Sequence, residues 1–157
     1  MKFKRAALAV VLNLAFISTA THADIIFKTQ KAGENLCDHV AGQWAGSGLV
    51  SAKILGMKVS CEYQGAATVN PASTPYNYDV TVNLHKTSGV CPNNETVVIS
   101  GFCDPVAGRI VLRSSAADLS GMLSADGRSA NLTGKASFPV MGQTVTADVE
   151  RMLLNKQ

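Results

Sequence analysis

The side chains that could do chemistry in this chain are few, and their spacing does not assemble them. Beyond the first 23 residues the only histidines are His39 and His85. A general base needs a nucleophile within hydrogen-bond reach and a third group to orient it. Neither histidine sits in such a pattern, and no G-x-S-x-G elbow occurs. Gly46-Ser47-Gly48 lacks the neighbours an elbow needs, and it does not open a helix as a phosphate loop would. Glu62, Asp79 and Glu150 each occupy the polar side of an alternating run, so each should point outward, away from the others. Paired-carboxylate chemistry is therefore not expected. The sequence names no catalytic residue and no cofactor, and we read the chain as a non-enzyme.

The cysteines carry a clearer message. Cys37, Cys61, Cys91 and Cys103 form no C-x-x-C pair and have few histidines for company. A metal site is disfavoured on that spacing. Four cysteines in an exported chain read instead as two structural disulfides. Export itself is read from the start of the chain. Lys2, Lys4 and Arg5 precede an apolar run, Ala7 to Ile17, and small residues follow at Thr21-His22-Ala23. That is the pattern of a signal peptide over residues 1–23, too short in its apolar part to span a bilayer. Its removal takes three of the 14 basic residues and none of the 11 acidic ones, so the mature chain is neutral. A neutral chain without a basic run gives no footprint for nucleic acid. The expected location is the periplasm or the exterior, with no transmembrane segment.

Residues 24–157 should form one domain behind a short N-terminal lead, 24–41. Gly33 to Val40 has room for a helical turn. Beyond it the dominant signal is alternation of period two. Trp44, Gly46, Gly48 and Val50 share one face of a first strand over 42–50. Met57, Val59, Cys61, Tyr63, Gly65, Ala67 and Val69 share one face of a second over 57–69. Tyr76, Tyr78, Val80, Val82 and Leu84 do so in a third over 76–86. Further strands are expected over 95–102, 109–114, 118–124, 128–138 and 143–154. On the last, Val145, Ala147, Val149, Arg151 and Leu153 should lie together. Turn residues separate the runs, with Asp126-Gly127 a strong hairpin signal. Eight short strands and no long helix imply an all-β fold, an eight-stranded antiparallel up-and-down barrel. A β-sandwich is the competing architecture.

Gly42-x-Trp44 opening the first strand, with Arg151 on the last, resembles the pattern of the calycin superfamily of lipocalins, avidins and related barrels. The resemblance implies that Trp44 closes the barrel floor and that Arg151 packs over it.

Up-and-down order also sorts the cysteines by end. Cys37 precedes strand one and Cys103 follows strand four, so both belong to the floor. Cys61, early in strand two, and Cys91, in the loop after strand three, belong to the upper end. The expected bridges are Cys37–Cys103 and Cys61–Cys91. Cys91–Cys103 would need an extended strand of about 26 Å to be closed by a bond spanning about 5.5 Å.

Binding has more support than catalysis. The inward face carries many glycines and alanines beside Tyr63, Tyr76, Tyr78, Val80, Val82, Leu132 and Phe138. An eight-stranded barrel is either filled by side chains or holds one small ligand. Small residues argue for space, or else for close strand curvature. Tyrosine hydroxyls could supply the few polar groups of an apolar site. Met57 and Met141, with Ile54, Leu55 and Val140, would surround the upper mouth. The leading expectation is an exported bacterial barrel that binds a small apolar ligand or lipid in its lumen. The others are an inhibitor of a secreted hydrolase, with a protein partner at the mouth, and a structural envelope protein with a filled barrel.

Overall fold

The structure, a computed structural model, describes residues 35–54, 56–140 and 142–157. The expected signal peptide, most of the N-terminal lead, Leu55 and Met141 lie outside the described residues. A 3-10 turn, Leu36–His39, comes first. Asn35 caps it, its Oδ1 accepting the Cys37 N–H at 2.9 Å. Eight strands follow: β1 (Gly42–Ile54), β2 (Met57–Pro71), β3 (Asn77–Ser88), β4 (Asn94–Cys103), β5 (Arg109–Arg113), β6 (Ala117–Leu123), β7 (Ser129–Val140) and β8 (Gln143–Lys156). Each pairs antiparallel with the next and β8 pairs with β1, which closes the barrel. Closure removes the sheet edges along the barrel wall.

Alternation sets which side chains enter. On β2, Cys61, Tyr63, Ala67 and Val69 are buried while Glu62 and Gln64 are exposed. On β3, Tyr78 and Val80 are buried and Asp79 is exposed. A one-residue slip would turn these sets inside out, so the buried face fixes the register. The apolar core is continuous from the 3-10 turn through Trp44, Val80, Ile99, Ile110, Leu112, Leu119 and Leu132.

Strand length is uneven, and this shapes the upper end. β5 and β6 have five and seven residues; β1 and β8 have 13 and 14. The β1–β8 ladder ends at Ser51↔Asp148. The β2–β3 ladder begins only at Glu62↔Ser88. Two neighbouring hairpins, β1–β2 and β7–β8, therefore continue beyond the ladders that join them to the wall. The last pairs of these hairpins are Ile54↔Met57 and Val140↔Gln143.

Two expectations about side-chain direction are corrected. Tyr76 does not share the inward face of β3. It precedes the strand with φ of 62°, and its side chain is 39 % exposed at the floor end. Left-handed backbone breaks the alternation that would have carried Tyr78's direction back to it. Arg151 does not pack over Trp44 either; its side chain is exposed. β1 pairs Leu49 with Arg151 and Val50 with Val149, so Glu150 is an extra residue. This β-bulge flips the phase of β8. Val145, Ala147 and Val149 stay inward, but Met152 and Leu154, not Arg151 and Leu153, continue the inner face.

The glycines answer the question of space against curvature. At Gly46 a Cβ would run into the Leu153 carbonyl oxygen of β8. At Gly134, opposite the bulge, φ is 150° and a Cβ would meet the Asp118 carbonyl. Both glycines allow neighbouring backbones to approach closely.

Candidate functional site

The floor is built from the 3-10 turn and the ends of four strands. Trp44 is 3 % exposed, and its Nε1–H donates to the Val40 carbonyl at 2.8 Å. Tyr78 donates its hydroxyl to the Cys37 carbonyl, also at 2.8 Å. Cys37 bonds Cys103, with a Cα separation of 5.8 Å. The ammonium of Lys156, whose Cα lies opposite Trp44 in the β1–β8 ladder, donates to the His39 carbonyl. Trp44 is thus enclosed at this end of the barrel. The basic side chain tied to this end is Lys156, which sequence reasoning missed; the phase change at the bulge is what puts it there.

Above the floor the lumen is nearly full. Among the described residues its apolar cavities include one of about 50 Å³ and one of about 40 Å³. Val80 and Leu132 line the first, Tyr63 the second, and Ala67, Val82, Met152 and Leu154 border both. Pockets that hold drug-sized ligands are several times larger, about 300–1,000 Å³. The tyrosine hydroxyls are also committed. Tyr78 serves the floor, and Tyr63 donates to the Pro92 carbonyl at 3.0 Å.

Phe138 packs with Val50, Val59 and Leu84 against Tyr63 and the Cys61–Cys91 bridge. Over it stand the two hairpins. Ile54, Met57 and Val59 face inward on one, Phe138 and Val145 on the other. Met57 is 66 % exposed at its tip. Of the expected site residues, Tyr63, Tyr78, Val80, Val82 and Leu132 are brought together inside; Phe138 and Met57 mark the rim; Tyr76 is at the opposite end. Behind the first hairpin lies a polar cluster that the sequence did not reveal. Glu150 Oε1 accepts from buried Ser51 at 2.6 Å and from Lys58 at 3.0 Å. These two donors, Ser51 first, hold the Glu150 carboxyl below the usual carboxylate range. A carboxylate so stabilised is a poor proton acceptor. Its role here is to join β8 to the β1–β2 hairpin.

Burial raises the pKa of Tyr63 and of Tyr78. Glu95 adds to the effect at Tyr63, and Asp38 then Tyr76 at Tyr78. The neutral phenol is the form the fold favours. Its contribution is complete below the ordinary tyrosine pKa of about 10 and is lost as pH rises through the raised folded values. The urea midpoint should therefore fall with alkaline pH above about 10. Tyr78→Phe should flatten that fall while costing about 1 kcal/mol at pH 7 for the lost hydrogen bond. An unchanged alkaline slope in the variant would contradict this assignment.

Comparison with protein-family models, with curated proteins and with solved structures finds no match for this chain.

Proposed function

We propose that this chain is an exported binding protein that engages another protein at the rim of its barrel, in the manner of an inhibitor that presents hairpins to a concave site. The observation that carries this reading is the pair of hairpins standing above a lumen whose apolar cavities are of about 50 Å³ and about 40 Å³, with Met57 exposed at one tip. A filled barrel is a rigid support, and rigid presentation reduces the ordering cost of association. Two disulfides fit an oxidising compartment, which accords with export.

A second reading is favoured by one feature. The two cavities share Ala67, Val82, Met152 and Leu154, so a rotation of the Met152 side chain would bring them closer to one apolar space. That space suits a small apolar molecule. It does not suit a long acyl chain unless Phe138 moves.

Two measurements on the mature protein separate these readings. In native mass spectrometry and in titration with benzene, the rim reading expects no retained molecule and no saturable uptake. Against a panel of secreted serine, cysteine and metalloproteases and a muramidase, it expects stoichiometric inhibition of a member. Met57→Asp should weaken that inhibition by about tenfold, the loss of one well-placed apolar contact of about 1.4 kcal/mol. Being exposed, that substitution should leave the unfolding midpoint in place. Saturable 1:1 binding of benzene without inhibition would overturn the rim reading in favour of the lumen.

A further inference from the structure

Resting on the rim reading, we infer that the partner is held as an extended strand between the two hairpins, through its main chain, with an acidic side chain beside Lys53. β1 continues to Ile54 and β8 starts at Gln143, yet their ladder stops at Ser51↔Asp148. The edge of β1 over Ala52–Ile54 and that of β8 over Gln143–Thr146 thus carry no pairing with each other. Unpaired strand edges present rows of N–H and C=O groups, which another polypeptide backbone can satisfy and an acyl chain cannot.

Of the other edges of the same hairpins, that of β7 is obstructed, and that of β2 is obstructed at Ser60 and Cys61 but not over Met57–Val59. On β7, Pro139 has no N–H to offer on the edge beyond β6. Ser137 on that edge already donates to Ala116 at 2.7 Å. On β2, Gly89 crowds Ser60 and Cys61. No proline guards the β1 and β8 edges. An occupant of about four residues, about 13 Å long, matches the open stretch. Its alternate side chains would lie against the apolar inner faces, Ile54 and Met57 on one side and Phe138 and Val145 on the other.

Charge gives the occupant a further property. Lys53 stands opposite Lys58 across the β1–β2 ladder. Like charges directly opposite are unfavourable. Glu150 pairs with Lys58 at 3.0 Å, whereas Lys53 has no ion-pair partner among the described residues. One positive charge is therefore left beside the open β1 edge, and an acidic side chain on the bound strand would complement it.

The test uses the isotope-labelled mature protein and three probes: the capped peptide acetyl-Thr-Val-Glu-Val-Thr-Val-amide, the same peptide N-methylated at alternate amides in either register, and dodecylphosphocholine micelles. The expected result is saturable amide shifts confined to 52–54 and 143–146 with the first peptide. N-methylation in at least one register should weaken binding about tenfold or more, and Lys53→Glu about two- to fivefold. Equal binding of the methylated peptides would overturn main-chain pairing and leave rim binding standing. No peptide binding from a protein that still inhibits a hydrolase through Met57 would have the same meaning. The same shifts with micelles, and no hydrolase inhibited, would overturn both the strand and the rim reading.

Discussion

Trp44→Ala will lower the free energy of unfolding by about 3–5 kcal/mol, the range for deleting a large buried aromatic. Trp44 is almost wholly enclosed and borders the larger lumen cavity of about 50 Å³. Its removal joins that void to the space of the indole, because the closed ladder on either side of β1 leaves the wall little freedom to collapse inward. The Val40 carbonyl also loses its donor. A domain with a total stability of about 5–15 kcal/mol can survive this, particularly with both disulfides intact. The resulting cavity, walled by Val40, Tyr78, Val80 and Leu132, should then admit benzene, as dry apolar cavities do. Trp44→Phe, which keeps a ring but not the N–H, should cost less than the alanine variant. Urea unfolding of the three proteins, with and without benzene, checks this. A loss near 1 kcal/mol for Trp44→Ala would mean that the tryptophan is a surface cover and not the floor.

The same tryptophan shows how much of the fold the chain discloses. Alternation over Met57–Val69 and through Val80 is strict, and it is followed in the barrel because each residue's direction depends only on its neighbour's. The disulfide partners were legible for the same reason: strand count alone places Cys37 with Cys103 and Cys61 with Cys91. Tyr76 and Arg151 were misplaced because a single backbone irregularity lies between each of them and the regular run. A tyrosine at φ of 62° and one extra residue at Glu150 leave no mark in composition or periodicity. Gly134, on the strand facing the bulge, is the nearest thing to a signal, and glycine inside a strand has that meaning only in hindsight of its partner.

The filling of the lumen was not legible at all. Whether Gly46 makes room or permits contact depends on the position of the Leu153 carbonyl in the neighbouring strand, which no local pattern encodes. Gly46 and Gly134 are points of close approach, while Gly48, Gly65 and Ala67 line the smaller cavity of about 40 Å³. Both interior tyrosine hydroxyls end on main-chain carbonyls. In the rim reading proposed above, function falls to the part of the chain left over by the barrel: the strand ends beyond Ser51 and before Asp148.

Removing the Cys37–Cys103 bridge should cost about 4 kcal/mol in the loop-entropy model, from its separation of 66 residues. Removing Cys61–Cys91, with a separation of 30, should cost about 3.6 kcal/mol. The totals are close, but their places differ. Cys37–Cys103 ties the 3-10 turn to the end of β4, and the hydrogen bonds of Tyr78 and Trp44 end on that same turn. Its alanine double variant should lose hydrogen-exchange protection first at 36–44 and keep the rim intact. Cys61–Cys91 is the bed on which Phe138 rests. Its double variant should loosen Phe138, expose apolar surface to a dye, and lose rim binding at temperatures where the barrel is still folded. Local fraying of this kind is read separately from global unfolding by amide exchange. If the floor variant lost partner binding while the rim variant kept it, the assignment of support to one end and recognition to the other would be wrong.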